Sequence, residues 1–166
     1  MGYEIDIQND HGYPVAHERL IEAVTRVLAM ESIPERSAAA IVLIDDSTMA
    51  DYNRQFRGVD APTDVLSFPA DAPPVAVPDE PDYLGDLLVA YPYASAQALR
   101  EGHSVDDSLA LLVIHGTLHL LGYDHDTPEH RAAMWAAQDA ALRSLGISTH
   151  IVPSLEQIAD DEDGEE

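Results

Sequence analysis

Three histidines fall within one short stretch, His115-Gly116-Thr117-Leu118-His119-Leu120-Leu121-Gly122-Tyr123-Asp124-His125. His115 and His119 are four residues apart, so on a helix both imidazoles leave one face, one turn above the other, and can bind the same cation. Gly122 can adopt a left-handed backbone that turns the chain sharply and brings His125 back towards the same point. Three nitrogens with a fourth position open is the arrangement of a catalytic zinc, whereas a structural zinc is usually closed by four protein ligands. A lone histidine on an apolar helix is more often a hydrogen-bonded core residue, and it is the combination that points to metal. His130 reads as a surface or supporting residue, and His11, His17 and His150 as incidental.

The same His-x3-His-x2-Gly-x2-His spacing occurs in metzincin peptidases, where a glutamate after the first histidine acts as general base. Here that position is Gly116, and no glutamate follows until Glu129. What remains is a metal able to lower the pKa of its water and polarise an ester. Asp124 stands either as an outer carboxylate that orients a ligand or as a turn residue.

A second signal lies in Asn53-Arg54-Gln55-Phe56-Arg57-Gly58-Val59-Asp60-Ala61-Pro62-Thr63-Asp64-Val65-Leu66-Ser67-Phe68-Pro69. Arg54 and Arg57 are three apart on one helical face, beside a loop that can present them. A planar guanidinium beside a metal suits a phosphodiester, because its fork holds two phosphate oxygens. From this segment alone, pairing of both arginines with the many nearby acids is the stronger reading.

Several elements must position these groups. Glu4 to Asn9 alternates like a strand, and His17 to Met30 repeats apolar residues at helical spacing. Residues 39–44 form a β-branched apolar run that reads as a strand buried on both faces. Asp46 or Ser47 then caps a helix through Phe56, and Val65 to Phe68 is a brief strand. Pro69 to Pro81 is a stiff acidic loop, followed by a strand from Leu84 to Ala90 and a helix from Tyr93 to Glu101. Ser104 caps a nearly all-apolar core helix running to Leu121, and Pro128 opens a last helix that Gly146 stops. The expected fold is α+β, with three-layer α/β as the alternative: a small mixed sheet of about four strands packed with four to five helices, the metal site on a core helix and the turn after it. Residues 1–152 are expected to form a single metallohydrolase domain, and 153–166 an acidic, disordered tail.

Composition bounds the function. Of 166 residues 31 are acidic and 8 basic, all of them arginine, for a net charge of −23. Apolar types reach 46%, which excludes wholesale disorder, and the absence of cysteine excludes disulfides and thiolate metal sites. No signal peptide or membrane-spanning run is visible, so the chain reads as cytoplasmic. Such acidity argues against broad electrostatic capture of nucleic acid while leaving open a local site of metal plus arginine.

Taken together, the segment 115–125, Arg57 followed by Pro62-Thr63-Asp64-Val65-Leu66-Ser67-Phe68-Pro69, and Leu84-Gly85-Asp86 resemble the YbeY family, bacterial metal-dependent endoribonucleases of ribosomal RNA maturation. The resemblance spans roughly residues 4 to 146. It implies one zinc ion held by His115, His119 and His125, an important arginine at Arg57, and single-strand cleavage in small-subunit ribosomal RNA end processing and ribosome quality control. Its implied partners are ribosomal RNA and the small ribosomal subunit or associated proteins. Arg54 is a further expected RNA contact, whereas Val59 replaces a residue often basic in that family and removes one phosphate contact. Two alternatives stay open: a metallohydrolase of a peptide or small ester, and a non-catalytic ribosome-associated metal-binding protein.

Overall fold

The computed structural model describes residues 2–70 and 82–149. The proline-rich loop beyond residue 70, His150 and the acidic tail lie outside the described residues. In chain order the elements are β1 (Glu4–Gln8), α1 (His17–Met30), β2 (Ser37–Ile44), α2 (Asp46–Arg57), β3 (Val65–Pro69), β4 (Asp82–Ala90), α3 (Tyr91–Arg100), α4 (Val105–Leu120) and α5 (Pro128–Ser144). The strands form one mixed sheet in the order β1-β2-β4-β3, with β1, β2 and β4 parallel and β3 antiparallel on the β4 edge. This is the α+β architecture expected from the sequence.

Alternation along the strands sends side chains to two different cores. Ile41, Leu43, Leu87, Val89 and Val65 point into the larger one, where they meet α1, α4 and α5. Ile44, Leu66, Leu88 and Ala90 point the other way, towards Met49 of α2, and form a smaller cluster edged by Val42, Phe68 and Tyr93. Helix α4 is buried from Leu109 through Leu118, which is why its sequence is apolar all round rather than amphipathic.

Two glycines let α4 sit this close. A Cβ on Gly116 would stand 2.8 Å from Leu87 Cδ2 and 3.1 Å from Ser67 Oγ. A Cβ on Gly85, where φ is 141°, would meet the Phe68 carbonyl oxygen at 2.3 Å and Leu120 Cδ2 at 2.9 Å. The end of β3 and the end of α4 therefore converge on one point beside Gly85. Ser67 Oγ fastens the two elements by donating to the Gly116 carbonyl at 3.0 Å.

Helix starts depart from the sequence expectation in two places. Asp45, not Asp46 or Ser47, caps α2 by accepting the Thr48 N–H at 2.8 Å. Asp46 instead accepts the Tyr93 N–H at 2.9 Å, tying α2 to α3. Helix α3 begins at Tyr91 rather than Tyr93, because Pro92 fits its first turn and β4 feeds directly into it.

Candidate metal centre

The three histidines converge. One ring nitrogen from each of His115, His119 and His125 lies within 4.8 Å of the others, with His115 and His125 buried and His119 partly buried. Helix geometry accounts for the first pair: on α4 the two Nε2 atoms stand 3.1 Å apart. His125 arrives by a Schellman turn in which Gly122, at φ 100°, lets the Tyr123 N–H reach the Leu118 carbonyl and the Gly122 N–H reach that of His119.

The outward ring nitrogens fix what the inward ones can do. His119 Nδ1 lies 2.9 Å from the Tyr123 carbonyl oxygen, which only accepts, so Nδ1 carries the proton and Nε2 presents a lone pair. His115 Nδ1 lies 3.0 Å from Gln138 Oε1, with the same consequence. Burial, then the neighbouring His119, pushes the His115 pKa down to about 3, so its ring stays neutral at neutral pH. Two lone pairs facing each other at 3.1 Å cannot bond to one another, and a shared cation resolves that conflict. Neutral imidazoles oriented by a carbonyl and an amide oxygen form a donor set that suits zinc.

The surroundings restrict the chemistry. Trp135 packs its ring edge-on against His115 and His125, with centroids 5.7 and 6.1 Å away. A groove of about 420 Å³ opens beside His125, lined also by Thr127, Pro128, Arg131 and Trp135. At Gly116, the position of a metzincin glutamate, α4 lies against the sheet and the contact distances leave no room for a side chain without a shift. Asp124 is exposed, and its Oδ1 accepts the His125 backbone N–H at 2.8 Å, as a turn residue does. His130 is exposed and sits 2.6 Å from Asp126.

The arginines lie elsewhere. Arg54 is exposed and paired with Asp51 at 3.0 Å and Asp60 at 3.5 Å. Arg57 is half-buried and ends α2, where Gly58 takes a left-handed conformation before the loop that leads into β3. Sequence reasoning missed Gln138 and Trp135. The signal for Gln138 was present: it shares the buried face of α5 with Met134, Ala141 and Leu142, a polar residue at a core position.

The family description Endoribonuclease YbeY matches residues 4–146. An Endoribonuclease YbeY of Chloroflexus aurantiacus is 43% identical over 89% of this chain and 98% of its own length. One from Moorella thermoacetica is 43% identical over 87% and 98% respectively. A Thermotoga maritima protein solved in solution is similar in fold, with a TM-score of 0.54 and 25% identity over 86% of this chain and 91% of that one.

Proposed function

The chain belongs to the Endoribonuclease YbeY family, a nuclease acting on RNA phosphodiester bonds, and from that premise we propose a zinc-dependent, single-strand endoribonuclease. It would act in the cytoplasm on the end of small-subunit ribosomal RNA and in ribosome quality control, with the small subunit or its associated proteins as partners. The observation that carries the reading is the pair of imidazole Nε2 atoms 3.1 Å apart, each turned inward by an acceptor on its other nitrogen.

His115, His119 and His125 would hold a single zinc ion. When bound, it supplies Lewis acidity, polarising a phosphate oxygen and lowering the pKa of water. The protein's own part is preparation. Gln138 and the Tyr123 carbonyl keep the Nδ1 protons in place, burial keeps His115 uncharged, and Trp135 restrains two of the rings. Arg57 serves the phosphate, its planar fork holding two non-bridging oxygens and stabilising the charge that develops on them. The crowded glycine at 116 speaks against the peptidase alternative, because the base that chemistry needs has no side chain to supply it.

The test compares substrates. Protein stripped of metal and reloaded with zinc is incubated with unstructured RNA and with casein. The expected result is RNA cleavage that depends on zinc, one zinc per chain by elemental analysis, and intact casein. Casein cleavage would move the assignment to a peptidase. A metal-replete protein that cleaves neither, and unfolds when stripped, would make the metal structural. Transmembrane chemistry is not part of this reading, since no helix among the described residues is long and apolar enough to cross a membrane.

A further inference from the structure

An RNA enzyme with 31 acids and 8 arginines can neutralise few phosphates, so much of its grip must come from the bases. Both phenylalanines of the chain lie in one surface patch with Tyr52. Tyr52 and Phe56 are one turn apart on α2, nearly parallel with centroids 6.2 Å apart, and Phe68 of β3 meets Phe56 edge-on at 4.9 Å. Phe68 also seals the smaller core, which explains its place. Phe56 has no such duty: it is 61% exposed, and Tyr52 37%.

We propose that Phe56, flanked by Tyr52 and Phe68, is a stacking platform for one or two unpaired bases of the RNA that the histidine site cleaves. The proposal rests on the RNA-cleaving reading above. Two placements connect the platform to that site. Arg57 follows Phe56 directly at the end of α2. The Phe68 backbone carbonyl and the side chain of Leu120, the residue after His119, crowd the same point at Gly85, so the end of β3 lies beside the end of α4, with the Phe68 ring on the α2 face of the sheet and α4 on the other. A strand of RNA laid over the β3 edge can therefore stack bases on the aromatics while its phosphates pass Arg57. Aromatic faces accept any base but require it to be unpaired, so the platform selects single strands over duplex. A second copy of this chain is the poorer occupant: the residue beside Phe56 at the end of α2 is Arg57, a cation that suits a phosphate backbone and has less to offer another face of this acidic chain.

The experiment measures binding of a labelled, unstructured oligoribonucleotide and of an abasic strand of equal length to zinc-loaded protein, at low and high salt. Phe56→Ala should weaken binding of the ordinary strand about tenfold, and Phe56→Trp should restore it. The same ratio is expected at both salts, since stacking is not screened, whereas the loss caused by Arg57→Ala should shrink as salt rises. On the abasic strand Phe56→Ala should bind like the parent protein. Unchanged binding of the ordinary strand by Phe56→Ala overturns the platform, as does an equal loss on the abasic strand. A parent protein that sediments as a dimer dissolved by Phe56→Ala would make the patch a self-interface instead. Failure of the parent protein to bind or cleave RNA at all would overturn the underlying RNA reading, a distinct result from an indifferent Phe56.

Discussion

Between His115 and His125 the three histidines turn towards one another, and the rings of His115 and His119 have acceptors of their own. Between Asn53 and Pro69 the side chains at the end of α2 lie at the surface: Arg54 is shared by two acids, Phe56 lies open, and Arg57 is half-buried. In the first segment two of the three rings are oriented by oxygens of the protein itself, which set their tautomers. The second presents Arg54 and Phe56 to solvent. A site that must place a cation to a fraction of an ångström needs the former. A surface that must accept a chain of varying sequence is served by the latter.

Single substitutions can break or sharpen this contrast. The largest effect is expected from His119→Ala, which removes one donor from a triad with no spare: RNA cleavage should fall at least about 10³-fold, with metal stoichiometry lost by elemental analysis. Cleavage within tenfold of the parent would mean that the buried segment is not the centre of the chemistry.

Next comes Asp64, which with Asn53 and Thr63 is a buried polar residue of the second segment. It is fully buried, its Oδ1 accepts the Val65 N–H at 2.8 Å, and its Oδ2 has no partner among the described residues. Burial, opposed by that N–H, pushes its pKa up to about 6. The folded state then binds more protons than the unfolded chain between about pH 4 and 6, so this residue's contribution to stability is full below the unfolded value and is lost as pH rises through 6, by roughly 3 kcal/mol. Urea midpoints of the parent relative to Asp64→Asn should diverge over that window, the parent losing ground as pH rises. Parallel curves would show that the carboxyl is not held protonated.

Arg57→Ala should lower cleavage about 30- to 100-fold while leaving metal content at one per chain. If metal content fell too, the two segments would be one structural unit and not two with separate tasks. Gln138→Leu should act on the buried segment alone, weakening zinc affinity by about tenfold, while Gln138→Glu, which keeps an acceptor towards His115 Nδ1, should retain it. The smallest effect belongs to Arg54→Ala: its charge is already met by Asp51 and Asp60 at the surface, so RNA binding should change less than about twofold. A larger loss would show that RNA displaces those acids.

Legibility followed the range of the interaction. The i, i+4 histidines and the Gly122 return are local geometry, readable from spacing because helix periodicity and a left-handed glycine suffice to define them. The strands and helices were visible for the same reason, with errors at their ends: β2 and β4 each begin two residues earlier than the pattern suggests, β3 runs on to Pro69, and α2 and α3 start elsewhere than expected. Asp46 was a reasonable cap by type, yet Tyr93, far along the chain, claims it. Nothing in residues 53–69 reveals that Arg54 would be paired while Arg57 would be half-buried. That depends on which face α2 lays on the sheet.

The sequence by itself determined the candidate donor set, the turn that gathers it, the sheet-and-helix composition, and a charge that argues against broad capture of RNA. Tertiary structure alone decided that Gln138 sits against His115 across two helices, that Gly116 is crowded by Leu87 and Ser67, and that Phe56 and Phe68 share a surface. The physical reason is the same in each case. Backbone periodicity is written into every few residues, whereas the meeting of two faces depends on how whole elements pack, and no short stretch of chain encodes that contact.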